Sequence, residues 1–186
     1  YQISLDNGQT WDLNIAGNAN RNLFGFVTLS DNSILGYGIG AIRSIDNGNS
    51  WAVQNTNQFL TKVVVNGTNL FSYSGSNLLS STNAGVTWNS AAISGLPTPS
   101  KIQVDANNNI YFLASNSIYK VNSGATTAIQ LTGVSSVRDF VFVNGSIIAL
   151  TINGTSWSIS TNGGTSWTNQ TLTSNFYANQ IWAYNS

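Results

Sequence analysis

Cysteine, histidine and glutamate are all absent from this 186-residue chain, and charge is scarce: six basic residues stand against six acidic ones, every acidic one an aspartate. Without cysteine there is neither a disulfide framework nor a thiolate metal site, and either redox compartment is open. Net charge is zero and Lys and Arg do not cluster, so the chain carries no footprint for phosphate backbones and nucleic acid is excluded as a partner. No stretch is long and apolar enough to span a bilayer. No signal peptide is recognisable, but the chain opens at Tyr1, without Met and inside a repeat. Helical periodicity is missing too, because nowhere are apolar residues sustained at spacings of three and four. The surface must therefore be built from Asn, Ser, Thr, Gln and Gly. Such a nearly uncharged polar face associates easily and is common in β proteins outside cells, which sets the expectation of an extracellular or cell-surface location.

What the chain has in quantity is one recurring phrase. Ser4-Leu5-Asp6-Asn7-Gly8-Gln9-Thr10-Trp11 returns as Ser44-Ile45-Asp46-Asn47-Gly48-Asn49-Ser50-Trp51, then with Asn83, Gly85 and Trp88, and again with Asn162, Gly164 and Trp167. A worn copy spans 120–127, where Asn122 and Gly124 remain and Thr127 replaces the tryptophan. The steps are 40, 37, 39 and 40 residues, the spacing of a repeat array. Within the phrase, Asp or Asn accepts bonds from nearby backbone N–H groups and Gly supplies a positive φ. The hydroxyl bonds back across the loop, and the tryptophan buries its ring beneath the turn. Such residues clasp two strands together. Repeated along one chain, they read as architecture rather than as an active site.

Between clasps the alternation gives four short strands per unit. The last full unit shows them best: Arg138 to Val143, a turn at Asn144-Gly145, Ser146 to Ile152, a turn at Asn153-Gly154, Thr155 to Ser160, then Trp167 to Leu172. The second echoes it with a turn at Asn66-Gly67. Four antiparallel strands per unit make a propeller blade, so the expected fold is an all-β propeller. The expected division is a partial blade over 1–22, blades over 23–59, 60–97, 98–135 and 136–175, and the first strand of a further blade over 176–186. Two strands, four blades and one strand leave a ring unclosed, so the chain is expected to be part of a longer one.

The pattern S-x-[DN]-x-G-x-[ST]-W resembles the Asp-box, or bacterial neuraminidase repeat, of β-propellers in sialidases, oligoxyloglucan hydrolases, Vps10-type receptors and photosystem II assembly factors. In repeat length the chain is most similar to the Ycf48-like proteins. The resemblance implies that Asp6, Gly8, Trp11 and their counterparts in the later copies sit at the blade periphery, away from any site. A sialidase likeness would further imply three arginines on a carboxylate and a tyrosine activated by glutamate. Here Arg21, Arg43 and Arg138 occupy unrelated places in the repeat, and glutamate is lacking.

A two-aspartate hydrolase needs a positioned carboxyl pair. Asp31 and Asp105 fall at or next to turns, which explains them. Asp139, beside Arg138 at the start of an innermost strand, is the carboxylate to watch, with an ion pair as the plainer account. The run Asp105 to Asn109 lacks the closing acidic ligand of a calcium loop, so no metal is expected. No cofactor is expected either. The candidate binding residues are Arg138, Asp139 and Trp182. The sequence thus points to a non-catalytic extracellular propeller that binds a protein or glycan ligand or assembles with itself. The alternative is a sialidase-like or xyloglucanase-like glycoside hydrolase whose catalytic residues lie mostly outside this stretch.

Overall fold

The computed structural model describes residues 2–3, 9, 12–13, 22–171 and 178–181. Among these residues there are only strands and turns, seventeen strands in all. Strands β1 (Gln2–Ile3) and β2 (Asp12–Leu13) pair antiparallel around the first copy of the phrase. Next come β3 (Leu23–Thr28), β4 (Ile34–Ser44) and β5 (Ala52–Phe59), forming one sheet in that order. A four-stranded sheet follows from β6 (Val64–Asn66), β7 (Asn69–Ser74), β8 (Asn77–Ser81) and β9 (Asn89–Ala92). The third sheet holds β10 (Pro99–Val104), β11 (Ile110–Ala114), β12 (Ser117–Val121) and β13 (Ile129–Gln130). In the fourth, β14 (Val137–Val143), β15 (Ser146–Thr151), β16 (Ser156–Ser160) and β17 (Thr168–Thr171) again pair in chain order. These are propeller blades, each a meander of antiparallel strands.

Two departures from the expected strands have local causes. The blade over 23–59 has three strands instead of four, because its second and third strands run together as β4. One residue fewer separates Tyr37 from Ser44 than Tyr73 from Ser81, which leaves no room for a two-residue turn. The register instead slips between Ile39 and Ala41, and β4 passes from pairing β3 to pairing β5. The second departure is the turn joining β6 to β7. It occupies Gly67-Thr68, one residue later than expected, with Gly67 at φ 58° in the first central position that a type II′ turn reserves for glycine. Of the segment 176–186, residues 178–181 are described and lie outside any strand.

The first strands of three sheets, β3, β10 and β14, share a device. Each carries one extra residue near its start, at Phe24, Ser100 and Arg138, where the register with the following strand shifts.

The chain divides into two compact units, Tyr1–Ser74 with Leu78–Ser90 and Gly75–Asn77 with Ala91–Ser186. In the first, Leu35 and Tyr37 of β4 pack with Val63, Val65 and Leu70 of the next sheet, around buried Leu79 and Trp88. The second repeats the scheme: Tyr111, Leu113 and Ile118 of the third sheet meet Phe140, Phe142 and Ile147 of the fourth. Tyr111 stands edge-on to Phe142, ring centres 4.9 Å apart. In both units, then, one face of a sheet covers the opposite face of the sheet that follows, as side-chain alternation along strands allows.

Candidate functional site

Three clasps are described in full, and their bonding is nearly identical. Ser44 Oγ donates to Asp46 Oδ1 at 2.7 Å and accepts from the Gly48 N–H at 2.7 Å. Ser81 and Ser160 do the same for Asn83 with Gly85 and for Asn162 with Gly164. Across each loop the side-chain Oδ1 accepts the N–H four residues on, from Ser50 at 2.8 Å, Thr87 at 2.9 Å and Ser166 at 2.9 Å. Chemistry differs at one atom. Ser50 Oγ donates to the Asp46 carboxylate, whereas Thr87 Oγ1 and Ser166 Oγ accept from the amide Nδ2 of Asn83 and Asn162. The hydroxyl rotates to suit whichever partner it meets. Trp51 and Trp88 donate their indole N–H to the Gly48 and Gly85 carbonyls. The Trp167 indole N–H is buried without a partner among the described residues.

The worn copy keeps the backbone bond from Ala125 N–H to Asn122 O, and Lys120, which stands where the other clasps have serine, has no hydroxyl to offer. Gly124 keeps its positive φ. Where a tryptophan would stand, Thr127 bridges to Ser94, and the Ala128 N–H donates to Ser94 O at 2.9 Å. Asp6, Gly8 and Trp11 of the first copy lie outside the described residues, as does Trp182.

Asp31, Asp46, Asp105 and Asp139 are each engaged by the fold. Asp46 belongs to its clasp, whose Ser50 and Ser44 bonds hold its pKa down to about 2. Asp31 accepts the N–H and hydroxyl of Ser33 and pairs with Arg43; these groups, Ser33 first, lower its pKa. Asp105 closes the β10–β11 turn by accepting the N–H groups of Asn107 and Asn109, each at 2.9 Å. It also takes the Tyr111 hydroxyl at 3.3 Å, whose pKa burial pushes up.

Asp139 and Arg138, adjacent in sequence, have separate partners. The ion pair of Asp139 is with Lys101, 2.5 Å away on β10, and not with its neighbour. Asp139 also accepts the Phe140 and Ile181 N–H groups, and Lys101 Nζ lies 5.6 Å from the centre of the Phe140 ring. This carboxylate therefore fastens β10, β14 and the 178–181 segment together. Arg138, the extra residue of β14, turns outward and donates to Ile152 O and, at 3.2 Å, to Asn179 Oδ1. Alternation explains the split, because a bulge re-aims one side chain against the strand's pleat. Sequence reasoning missed Lys101, whose separation from Asp139 leaves no local signal.

Two clefts accompany these residues. One of about 290 Å³, in the first unit, is lined by Leu29, Asp31, Arg43, Thr68 and Asn83. Another of about 300 Å³, in the second, is lined by Val134, Ser156, Trp157, Asn169 and Gln170, with no charged group. Among the described residues no three His, Cys, Asp or Glu side chains come together as metal ligands.

No family model and no curated protein matches this sequence. Solved structures do match it. The chain is similar to Ycf48 from Cyanidioschyzon merolae, 17% identical with a TM-score of 0.63, over 85% of this chain and 58% of that one. It is similar to Ycf48 bound to D1 peptide at 16% identity and a TM-score of 0.58, over 87% and 60% of the two chains. A third likeness is to the GH74 enzyme of Niastella koreensis, at 23% identity and a TM-score of 0.62, over 90% of this chain and 28% of that one. The chain thus spans less than two thirds of each. At these identities the likeness establishes the β-propeller fold.

Proposed function

We propose that this chain is a non-catalytic binding module, exposed outside the cell or at its surface, whose ligand is a protein segment or glycan. The observation that carries the proposal is the occupation of four carboxylates, those of the aspartates whose side chains the structure describes. Asp31, Asp46, Asp105 and Asp139 all hold turns or strands together, so none stands ready as a general acid or base. A hydrolase needs two such groups facing the substrate. A binding module needs only a rigid frame and hydrogen-bonding groups at its surface. Uncharged polar residues supply these in abundance, and they also favour the extracellular reading.

Within this frame the ligand contact we assign is Arg138. Its guanidinium is exposed and its bonds to Ile152 and Asn179 fix its orientation, while two of its five N–H donors remain without a partner among the described residues. A pre-oriented guanidinium suits a peptide carbonyl or carboxylate, or a sugar hydroxyl. That a Ycf48 structure holds a D1 peptide supports a peptide ligand on this fold.

The test is a peptide and glycan array probed with the chain, followed by calorimetry on the best ligand and a parallel assay with fluorogenic glycosides. Binding without turnover is expected, and Arg138→Ala should weaken it by about tenfold. Glycoside turnover overturns the reading, as does unchanged affinity in the arginine variant for its role.

A further inference from the structure

We infer that the cleft lined by Asp31, Arg43, Thr68 and Thr82 in the first unit is a second ligand site, one that takes a neutral saccharide unit. Two loops with the same backbone set it apart. Residues 29–33 join β3 to β4 and residues 105–109 join β10 to β11; in each, the first N–H donates to the fifth carbonyl and the fourth N–H to the first carbonyl. Asn32 and Asn108 have matching φ values of 63° and 60°. The carboxylate, however, stands at a different place in each. Asp105 is the first residue of its loop, and its oxygens take the Asn107 and Asn109 N–H groups, the Asn109 amide and the Tyr111 hydroxyl. In the other loop Leu29 holds that first position, and the backbone closes all the same. Asp31, two residues on, gives Oδ1 to the Ser33 N–H at 3.0 Å and hydroxyl at 2.5 Å, and Oδ2 to Arg43. Closing the turn does not require that arginine. Its Nε donates to Ser33 Oγ at 2.9 Å and its Nη2 to Asp31, so the guanidinium is fixed while Nη1 has no partner among the described residues.

The lining selects the ligand. At about 290 Å³ the cleft is at the small end of ligand sites, which suits a single terminal sugar unit. Leu29 and Leu70 belong to its lining but are only 6% and 1% exposed, so an apolar side chain of a peptide gains little contact there. Its accessible groups are polar: the Asp31 carboxylate, the Arg43 guanidinium, and the exposed Thr68 and Thr82, whose hydroxyls have no partner among the described residues. One cation and one anion stand in the lining, and they pair with each other, so neither an anionic nor a cationic ligand finds net attraction. What fits is a neutral molecule that donates and accepts at adjacent positions. Sugar hydroxyls do both: one of a vicinal pair accepts from Arg43 Nη1, its neighbour donates to Asp31 Oδ2, and the threonine hydroxyls rotate to meet others. The fixed guanidinium lowers the ordering cost of that contact. The site rests on the reading of the chain as a binding module, and it uses none of the Arg138 contacts, which belong to the other unit.

The experiment is calorimetry with saturation-transfer NMR on the intact chain, using a panel of neutral mono- and disaccharides, with glucuronic acid, glucosamine and blocked dipeptides as the anionic, cationic and peptide arms. It is repeated for Arg43→Lys, which keeps a charge beside Asp31 but removes the planar fork, for Thr82→Val, which removes one exposed hydroxyl, and for Arg138→Ala. Circular dichroism and urea unfolding confirm that each variant is folded. A neutral saccharide should bind with a Kd of about 1 mM or tighter; Arg43→Lys should weaken it about tenfold and Thr82→Val about threefold, with Arg138→Ala unchanged. No neutral saccharide bound at about 10 mM overturns the site, as does a charged or peptide arm that binds better, or an affinity that Arg43→Lys leaves intact. Binding lost in Arg138→Ala alone also overturns it, while leaving the binding-module reading in place. Turnover of a bound saccharide overturns that reading and this site with it.

Discussion

Asp46 takes both donors of Ser50, its N–H at 2.8 Å and its hydroxyl at 2.5 Å, and these bonds to the charged form keep its carboxyl at a pKa of about 2. In the other described clasps an asparagine makes the same loop with the hydroxyl turned around.

The first prediction follows from that difference. A carboxyl whose folded pKa lies below its unfolded value stabilises the fold fully above the unfolded value, near 4, and loses that contribution as pH falls towards about 2. Urea unfolding followed from pH 5 to pH 2 should steepen in this window. Asp46→Asn should flatten part of the slope while folding normally at neutral pH; Asp31, also lowered, accounts for part of the remainder. An unchanged profile in the variant counts against the assignment.

A second prediction separates two glycines that share a conformation. Gly164 and Gly124 have φ of 91° and 76°, so alanine is strained at both. At Gly124 the space is open, but a Cβ on Gly164 would overlap the Leu131 side chain, which is buried. Gly124→Ala should cost about 1 kcal/mol and Gly164→Ala about 3 kcal/mol. Equal losses in thermal or urea unfolding would show that the clasp does not pack on Leu131.

Tryptophan replacement should distinguish two clasps. Trp88 donates to Gly85 O at 3.1 Å, whereas the Trp167 indole N–H is buried without a partner among the described residues. Phenylalanine removes the N–H in both cases. Trp88→Phe should be more destabilising than Trp167→Phe by about 1 kcal/mol. Urea midpoints with matched m-values provide the measurement, and a larger loss at Trp167 reverses the expectation.

Removing one member of the Lys101–Asp139 pair should be worse than removing both. Their side chains are 18% and 12% exposed, so the survivor is left largely desolvated. Asp139→Ala should cost about 3 kcal/mol, and Lys101→Met in the same background should restore part of it. Additive losses in the double-mutant cycle would refute the coupling.

Clasps and most hairpins were legible because their bonds close within four residues: Ser44 to Gly48, Asp46 to Ser50, and the Asn144-Gly145 turn all need nothing from elsewhere in the chain. The same locality explains why Asp31 and Asp105 read correctly as turn formers. Fusion of two strands into β4 was hidden, since it follows from a single missing residue, and the chain passes Gly40 by a register slip instead of a turn.

The sequence by itself determined the repeat, the turn chemistry and the all-β class, because hydrogen bonds between near neighbours are written in residue order. Only the tertiary structure decided that Asp139 answers Lys101 rather than Arg138, that Thr127 joins Ser94, and that Phe140 is fully buried. Those outcomes depend on which sheet lies against which, and burial and ion pairing are set by neighbours distant along the chain.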